Sequence, residues 1–254
     1  MTQKDLLSIG DISHGRIDRR TVFADFLGMS AYMISNRFDP VHLEQRKSAL
    51  ESLLHHYLPE ERTELMNALK ELIRQIQVNV DCDSYKDLLG PAFMELRIGG
   101  KGQDFTPHSL CDLVSRLTIS EQPVLPKCGY FTVNEPACGA GAMSLAVAER
   151  LQEAGFNLVQ HLVIRAEDLD IRCVFMTYIQ LSLYGIPAVV IHGDTLELKE
   201  LGRWYTPAYL LGNWLWKEPM PFQAGRNPDD ERLKMALDPI YRALRLLERG
   251  ESRG

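Results

Sequence analysis

The chain has 254 residues, 45% hydrophobic and 24% charged, with a formal net charge of −6. That balance supports a substantial core. It argues against a protein that grips a nucleic-acid duplex alone, because phosphate neutralisation calls for a basic face. No apolar run reaches the roughly 20 residues of a bilayer span, and MTQKDLLSIGDISHGRIDRR lacks the apolar stretch of a signal peptide; a cytoplasmic protein with no membrane partner is expected.

From about Thr21 to Gln77 the pattern is helical, with Leu43, Leu50, Leu53, Leu54 and Tyr57 forming one stripe. Leu65, Leu69, Leu72, Ile73 and Ile76 form a second after Pro59, whose fixed φ suits a first helical turn. Residues 1–90 read as a helical N-terminal extension, and a third helical segment, SYKDLLGPAFMEL, runs across its end. The turn IGGKGQDFTP follows, then a helix, PHSLCDLVSRLTI, with Leu110, Leu113, Val114 and Leu117 on one side. The five cysteines (Cys82, Cys111, Cys128, Cys138 and Cys173) are odd in number and form no C-x-x-C pair. Free thiols and no metal centre are expected. His55 and His56 are adjacent and point about 100° apart on a helix.

From Gly129 short apolar segments alternate with helical ones: YFTVNEP, HLVIRAED, AVVIHGD and AYLLGNW read as strands. GAMSLAVAERLQEAG and RCVFMTYIQLSLYG read as crossover helices. This alternation predicts an α/β fold with a mostly parallel sheet over residues 91–216. Residues 217–254 read as a loop and one helix, from about Asp229 to Arg249, with Arg242, Arg245 and Arg249 along one face.

The first strand runs into Gly139-Ala140-Gly141 and then a helix, which lets a ligand approach the backbone closely. The second strand ends in Glu167-Asp168 and the third in Gly193-Asp194-Thr195-Leu196. Ligands of open α/β sheets bind along that edge, where a carboxylate can accept hydrogen bonds from ribose hydroxyls. An adenosine-containing ligand without a pyrophosphate suits the set.

In order and type, these residues resemble the adenine-N6 DNA methyltransferases, in particular the modification subunits of type I restriction systems. The resemblance covers roughly residues 85–216. It rests on Glu135-Pro136-Ala137-Cys138-Gly139-Ala140-Gly141-Ala142, on Gly102-Gln103-Asp104-Phe105-Thr106-Pro107, on SLYGIP and on Gly193-Asp194-Thr195-Leu196. It implies a Rossmann-like fold and S-adenosylmethionine bound by Thr106, Pro107, Glu135, Ala137, Gly139, Gly141, Asp168 (or Glu167) and Asp194.

In the family the fourth strand ends in Asn-Pro-Pro-aromatic, which holds a flipped-out adenine. This chain has Asn213-Trp214-Leu215-Trp216, without either proline and with little sequence beyond for a target-reading region. Two readings follow. In one, Asn213 and Trp216 are the catalytic pair of an enzyme that methylates adenine in DNA, a partner subunit supplying DNA recognition. In the other, the chain is an inactive methyltransferase-like protein that acts by docking on a modification complex or another partner. RNA or protein as the methyl acceptor is a third possibility.

Overall fold

The structure, a computed structural model, describes residues 2–100, 103–217 and 228–251. Among the described residues, six α-helices and a 3-10 turn at Ile9–Asp11 precede the first strand: α1 (Gln3–Ser8), α2 (Arg19–Phe38), α3 (Leu43–Leu54), α4 (Pro59–Asp81), α5 (Leu89–Glu95) and α6 (His108–Thr118). Then come β1 (Phe131–Glu135), α7 (Ala142–Glu153), α8 (Leu158–His161), β2 (Leu162–Asp168), α9 (Ile171–Leu183), β3 (Ala188–Asp194) and β4 (Lys199–Tyr205). Helices α10 (Pro207–Leu211) and α11 (Pro228–Glu251) follow, with a 3-10 turn at Trp214–Trp216 between them.

The fold is mixed α/β, with a four-stranded sheet in the order β1-β2-β3-β4. The first three strands are parallel, with Phe131 opposite Leu162 and Ile164 opposite Ala188. The fourth strand departs from expectation. It is KELGRWY rather than AYLLGNW, and it runs antiparallel, with Val189 opposite Tyr205 and Asp194 opposite Lys199. Asp194 closes the connecting turn by accepting from the Leu196 and Glu197 amides at 2.9 and 3.1 Å. The segment expected as a strand is helical because Thr206 caps it, accepting from Tyr209 N, and Pro207 supplies a first-turn φ.

Strand residues alternate between two cores, as the period of two requires. Leu162, Ile164, Ala166, Ala188, Val190 and Trp204 join a large core with the N-terminal helices, α7 and α9. Val163, Val189, Ile191 and Tyr205 join a smaller one with Tyr209, Trp214, Leu233, Leu237 and Tyr241. The N-terminal helices thus share the larger core with the sheet. Leu65, Leu69, Leu72 and Ile76 of α4 are buried as their spacing predicts, whereas Ile73 is exposed. In SYKDLLGPAFMEL only Leu89–Glu95 is α-helical; Asp87 lies ahead of it and accepts from Gly90 N at 2.8 Å.

The outer edge of β4 is covered by a buried ionic cluster. Asp39 accepts from Arg46 Nη1 at 2.7 Å, His42 Nδ1 at 2.8 Å and the amides of Val41 and His42. The Arg46 guanidinium lies 3.9 Å from the centre of the Trp204 ring and donates to the Arg203 carbonyl. With the Arg203 carbonyl occupied in this way, the edge strand is a poorer template for stray pairing at that point.

Candidate functional site

The glycine turn is clamped from behind by α9. Thr177 Oγ1 donates to Gly139 O at 2.9 Å, and Gln180 Nε2 donates to Ala140 O at 2.7 Å and to Asp87 Oδ1 at 2.9 Å. The Leu88 amide donates to Gln180 Oε1 at 2.7 Å. Gly139 and Gly141 both have positive φ, +54° and +91°, which favours glycine. Their roles differ. A Cβ on Gly141 would lie 3.1 Å from Thr177 Oγ1, so that glycine serves helix packing. A Cβ on Gly139 would lie 3.1 Å from the Phe105 ring, which itself stacks on Phe93.

In front of the turn is a cavity of about 240 Å³, lined by Asp87, Asp104, Phe105, Thr106, Cys111, Glu135, Ala137, Cys138, Gly139, Ala140, Ala142 and Met143. Four residues expected at a cofactor, Thr106, Glu135, Ala137 and Gly139, therefore meet around one space. Pro107, Gly141, Asp168 and Asp194 lie outside its lining. Pro107 is the cap position of α6, and Asp194 is engaged in its own turn. Asp168 accepts from Gly139 N and Asp170 N, both at 2.9 Å. Glu167, the other reading for the ribose acid, is buried and paired with Arg165 at 3.0 Å. Gly102 lies outside the described residues.

The cavity is acidic. Asp87, Asp104 and Glu135 line it; burial pushes the carboxyls of Asp87 and Glu135, and of Asp168 outside the lining, above the ordinary range. Burial also raises the Cys111 and Cys138 thiols, so neither is a ready nucleophile. Sequence reasoning assigns no site role to Asp87, Asp104, Phe105 or Cys111. Asp104 and Phe105 sit inside a quoted motif; Asp87 carries no local signal.

Asn213 and Trp216 are not at this site. Because β4 runs antiparallel, it returns the chain to the opposite edge of the sheet, where Thr206 N donates to Ala188 O at the start of β3. From there α10 leads toward the start of β1. Trp214 Nε1 donates to Val159 O at 3.1 Å, and its ring meets Tyr130 edge-on at 5.1 Å. Trp216 packs edge-on against Tyr241 of α11 at 4.4 Å. At about 3.3 Å per residue, the strands separate this segment from the glycine turn by roughly 13–20 Å. Its aromatic residues instead join α11 to the sheet. Arg242 of that helix pairs with Asp238 at 2.7 Å, and Arg245 and Arg249 lie outside the described side chains.

No protein-family model matches this chain, and no curated protein matches it. Among solved structures, it is similar to the methyltransferase subunit of a type I restriction-modification system from Streptococcus thermophilus, at 12% identity and a TM-score of 0.41. The match covers 77% of this chain and 58% of that subunit. Among the described residues no helix is long and apolar enough to cross a membrane, and no group of His, Cys, Asp or Glu is arranged to hold a metal ion.

The clasp at Asn213–Trp216 has a measurable consequence. Trp214 is 4% exposed, and truncating a buried tryptophan typically costs about 3–5 kcal/mol. Trp214→Ala is expected to lower the melting temperature by roughly 6 °C or more, read by circular dichroism. A shift under about 2 °C would show that the ring is dispensable to the fold.

Proposed function

We propose that this chain is a methyltransferase-like binding protein that takes an adenosyl sulfonium ligand of the S-adenosylmethionine class at the glycine turn. Transfer of the methyl group to adenine N6 through Asn213 and Trp216 is not part of this reading. One observation carries it: Gly139, Thr106, Glu135 and Asp87 converge on one acidic cavity, while Asn213 and Trp216 lie at the other edge of the sheet. Carboxylates beside a close-approach glycine suit a cationic ligand, and Glu135 and Asp87 would hold its ammonium or sulfonium end. The cavity is smaller than the roughly 300–1,000 Å³ of whole ligand pockets. It fits one part of such a molecule, and Phe105 would have to yield for the rest. When bound, the ligand supplies an activated methyl group. The chain's own residues bind and orient it. The net charge of −6 favours docking on a protein partner over a bare duplex.

The test is calorimetric titration with S-adenosylmethionine, alongside transfer of labelled methyl to unmethylated DNA. Glu135→Ala is expected to weaken binding about tenfold or more, a loss of about 1.4 kcal/mol, and Asn213→Ala to change it less than about twofold. No label should reach DNA. Binding absent from folded protein would sink the ligand assignment. Label in adenine that disappears with Asn213→Ala would restore the catalytic reading.

A further inference from the structure

On the reading that the glycine turn takes an adenosyl ligand, we propose that Phe105 plugs the place of its base. The ring stands where the planar base lies against Gly139, and the site opens when the ring leaves Phe93. A glycine at positive φ after the first strand ordinarily lets a ligand come close to the backbone. Here the chain itself takes that close approach. Two ring atoms of Phe105 lie 3.1 and 3.3 Å from where a Gly139 Cβ would stand, so the bare α-carbon of Gly139 is what admits the ring. The ring is stacked on Phe93, with centres 5.4 Å apart and planes 18° from parallel.

The ring can leave without unravelling the fold. Phe105 belongs to a stretch, residues 103–107, that is neither helix nor strand. Its neighbours Asp104, Thr106 and Pro107 are exposed, while Phe105 is half-buried and turned inward. Phe93, by contrast, is fully buried on α5. Moving Phe105 therefore breaks no helix or strand. One side chain ties the stretch down: Gln103 Nε2 donates to Asp170 Oδ2 at 3.3 Å and to Cys173 Sγ at 3.0 Å. Asp170 caps the start of α9 and accepts from the Arg172 amide at 2.9 Å, so the tie is made to a fixed point.

A stacked aromatic pair weights the closed arrangement by roughly two- to twelvefold. A ligand that binds only the open form has its affinity reduced by the open fraction, so removing the ring restores that factor. The space the ring fills also joins the cavity of about 240 Å³, bringing it toward the roughly 300–1,000 Å³ of whole ligand pockets. The other role for an aromatic beside a base is to stack on it. That role has the opposite consequence, because losing the ring then weakens binding by roughly fivefold or more.

Calorimetric titration of the full chain with S-adenosylmethionine tests this, on proteins shown to be folded by circular dichroism. Phe105→Ala is expected to bind about fivefold tighter than wild type or more; binding by the variant alone is the same result in its extreme form. Gln103→Ala keeps the ring and releases its tie. It is expected to bind about two- to threefold tighter, and it decides the matter where Phe105→Ala does not fold. Equal or weaker binding by Phe105→Ala, beside a wild type that binds, overturns the plug and leaves the ligand site in place. Failure of wild type and both variants to bind, all folded, overturns the ligand assignment and the plug with it.

Discussion

Asp39→Ala is expected to destabilise the protein by about 3–5 kcal/mol, the usual cost of leaving a buried charge without its partner. Asp39 is 1% exposed and Arg46 6%. Removing the carboxylate leaves a guanidinium buried against Trp204, with Ser35 Oγ and the Arg203 carbonyl to accept from it. The Val41 and His42 amides lose their acceptor too. For a chain of this length the melting temperature should fall by roughly 6–20 °C. The effect has a pH signature. Burial pushes the Asp39 carboxyl up, but the His42 hydrogen bond and the Arg46 charge outweigh it and hold it below the ordinary value. A depressed carboxylate stabilises the fold above its unfolded pKa, near 4, and that contribution is lost as pH falls through the lower folded value. Thermal melts from pH 6 down to pH 2 should show the loss in wild type and a smaller one in Asp39→Asn. A melt of Asp39→Ala within 2 °C of wild type would remove the ionic cluster from the account of stability.

Gln180→Leu is the second large effect. The side chain is fully buried, and its amide joins three backbone or carboxylate groups from two other segments. Leucine keeps most of the volume and none of the hydrogen bonds, so Leu88 N, Ala140 O and Asp87 each lose a partner. Asp87 keeps the Gly90 amide, so two groups are left unpaired, and at about 1–3 kcal/mol for each the loss is on the order of 2–6 kcal/mol. The carbonyl of Ala140 belongs to the glycine turn, so binding of the proposed adenosyl ligand should be lost along with stability. Chemical denaturation read beside calorimetric titration separates the two. A stable Gln180→Leu protein that still binds at wild-type affinity would mean that α9 does not shape the turn.

These two clusters also mark the limit of sequence reading. The three parallel strands were legible because short apolar runs alternate with helical ones and end in glycine or acidic residues. The fourth was misread because a short apolar run such as AYLLGNW does not distinguish strand from helix. Thr206-Pro207, a cap residue followed by a first-turn proline, was the signal that decides it. With the fourth strand at Lys199–Tyr205, Asn213 lies at the end of the sheet away from the glycine turn. Gln180 and Asp87 lie 93 residues apart in the chain, and no local pattern announces their meeting. For α6 the periodicity gave the stripe correctly, but not its exposure to solvent, because that depends on how closely Cys111 and Ser115 allow α7 to approach.

The smaller core also has a history in time. Val163, Val189, Ile191 and Tyr205 belong to strands that can pair once residue 205 is made, whereas Leu233, Leu237 and Tyr241, which pack over them, come last. A ribosome adding about 5–20 residues per second takes roughly two to seven seconds to cover those 36 positions. For that interval one apolar face of the paired sheet lies uncovered on the nascent chain.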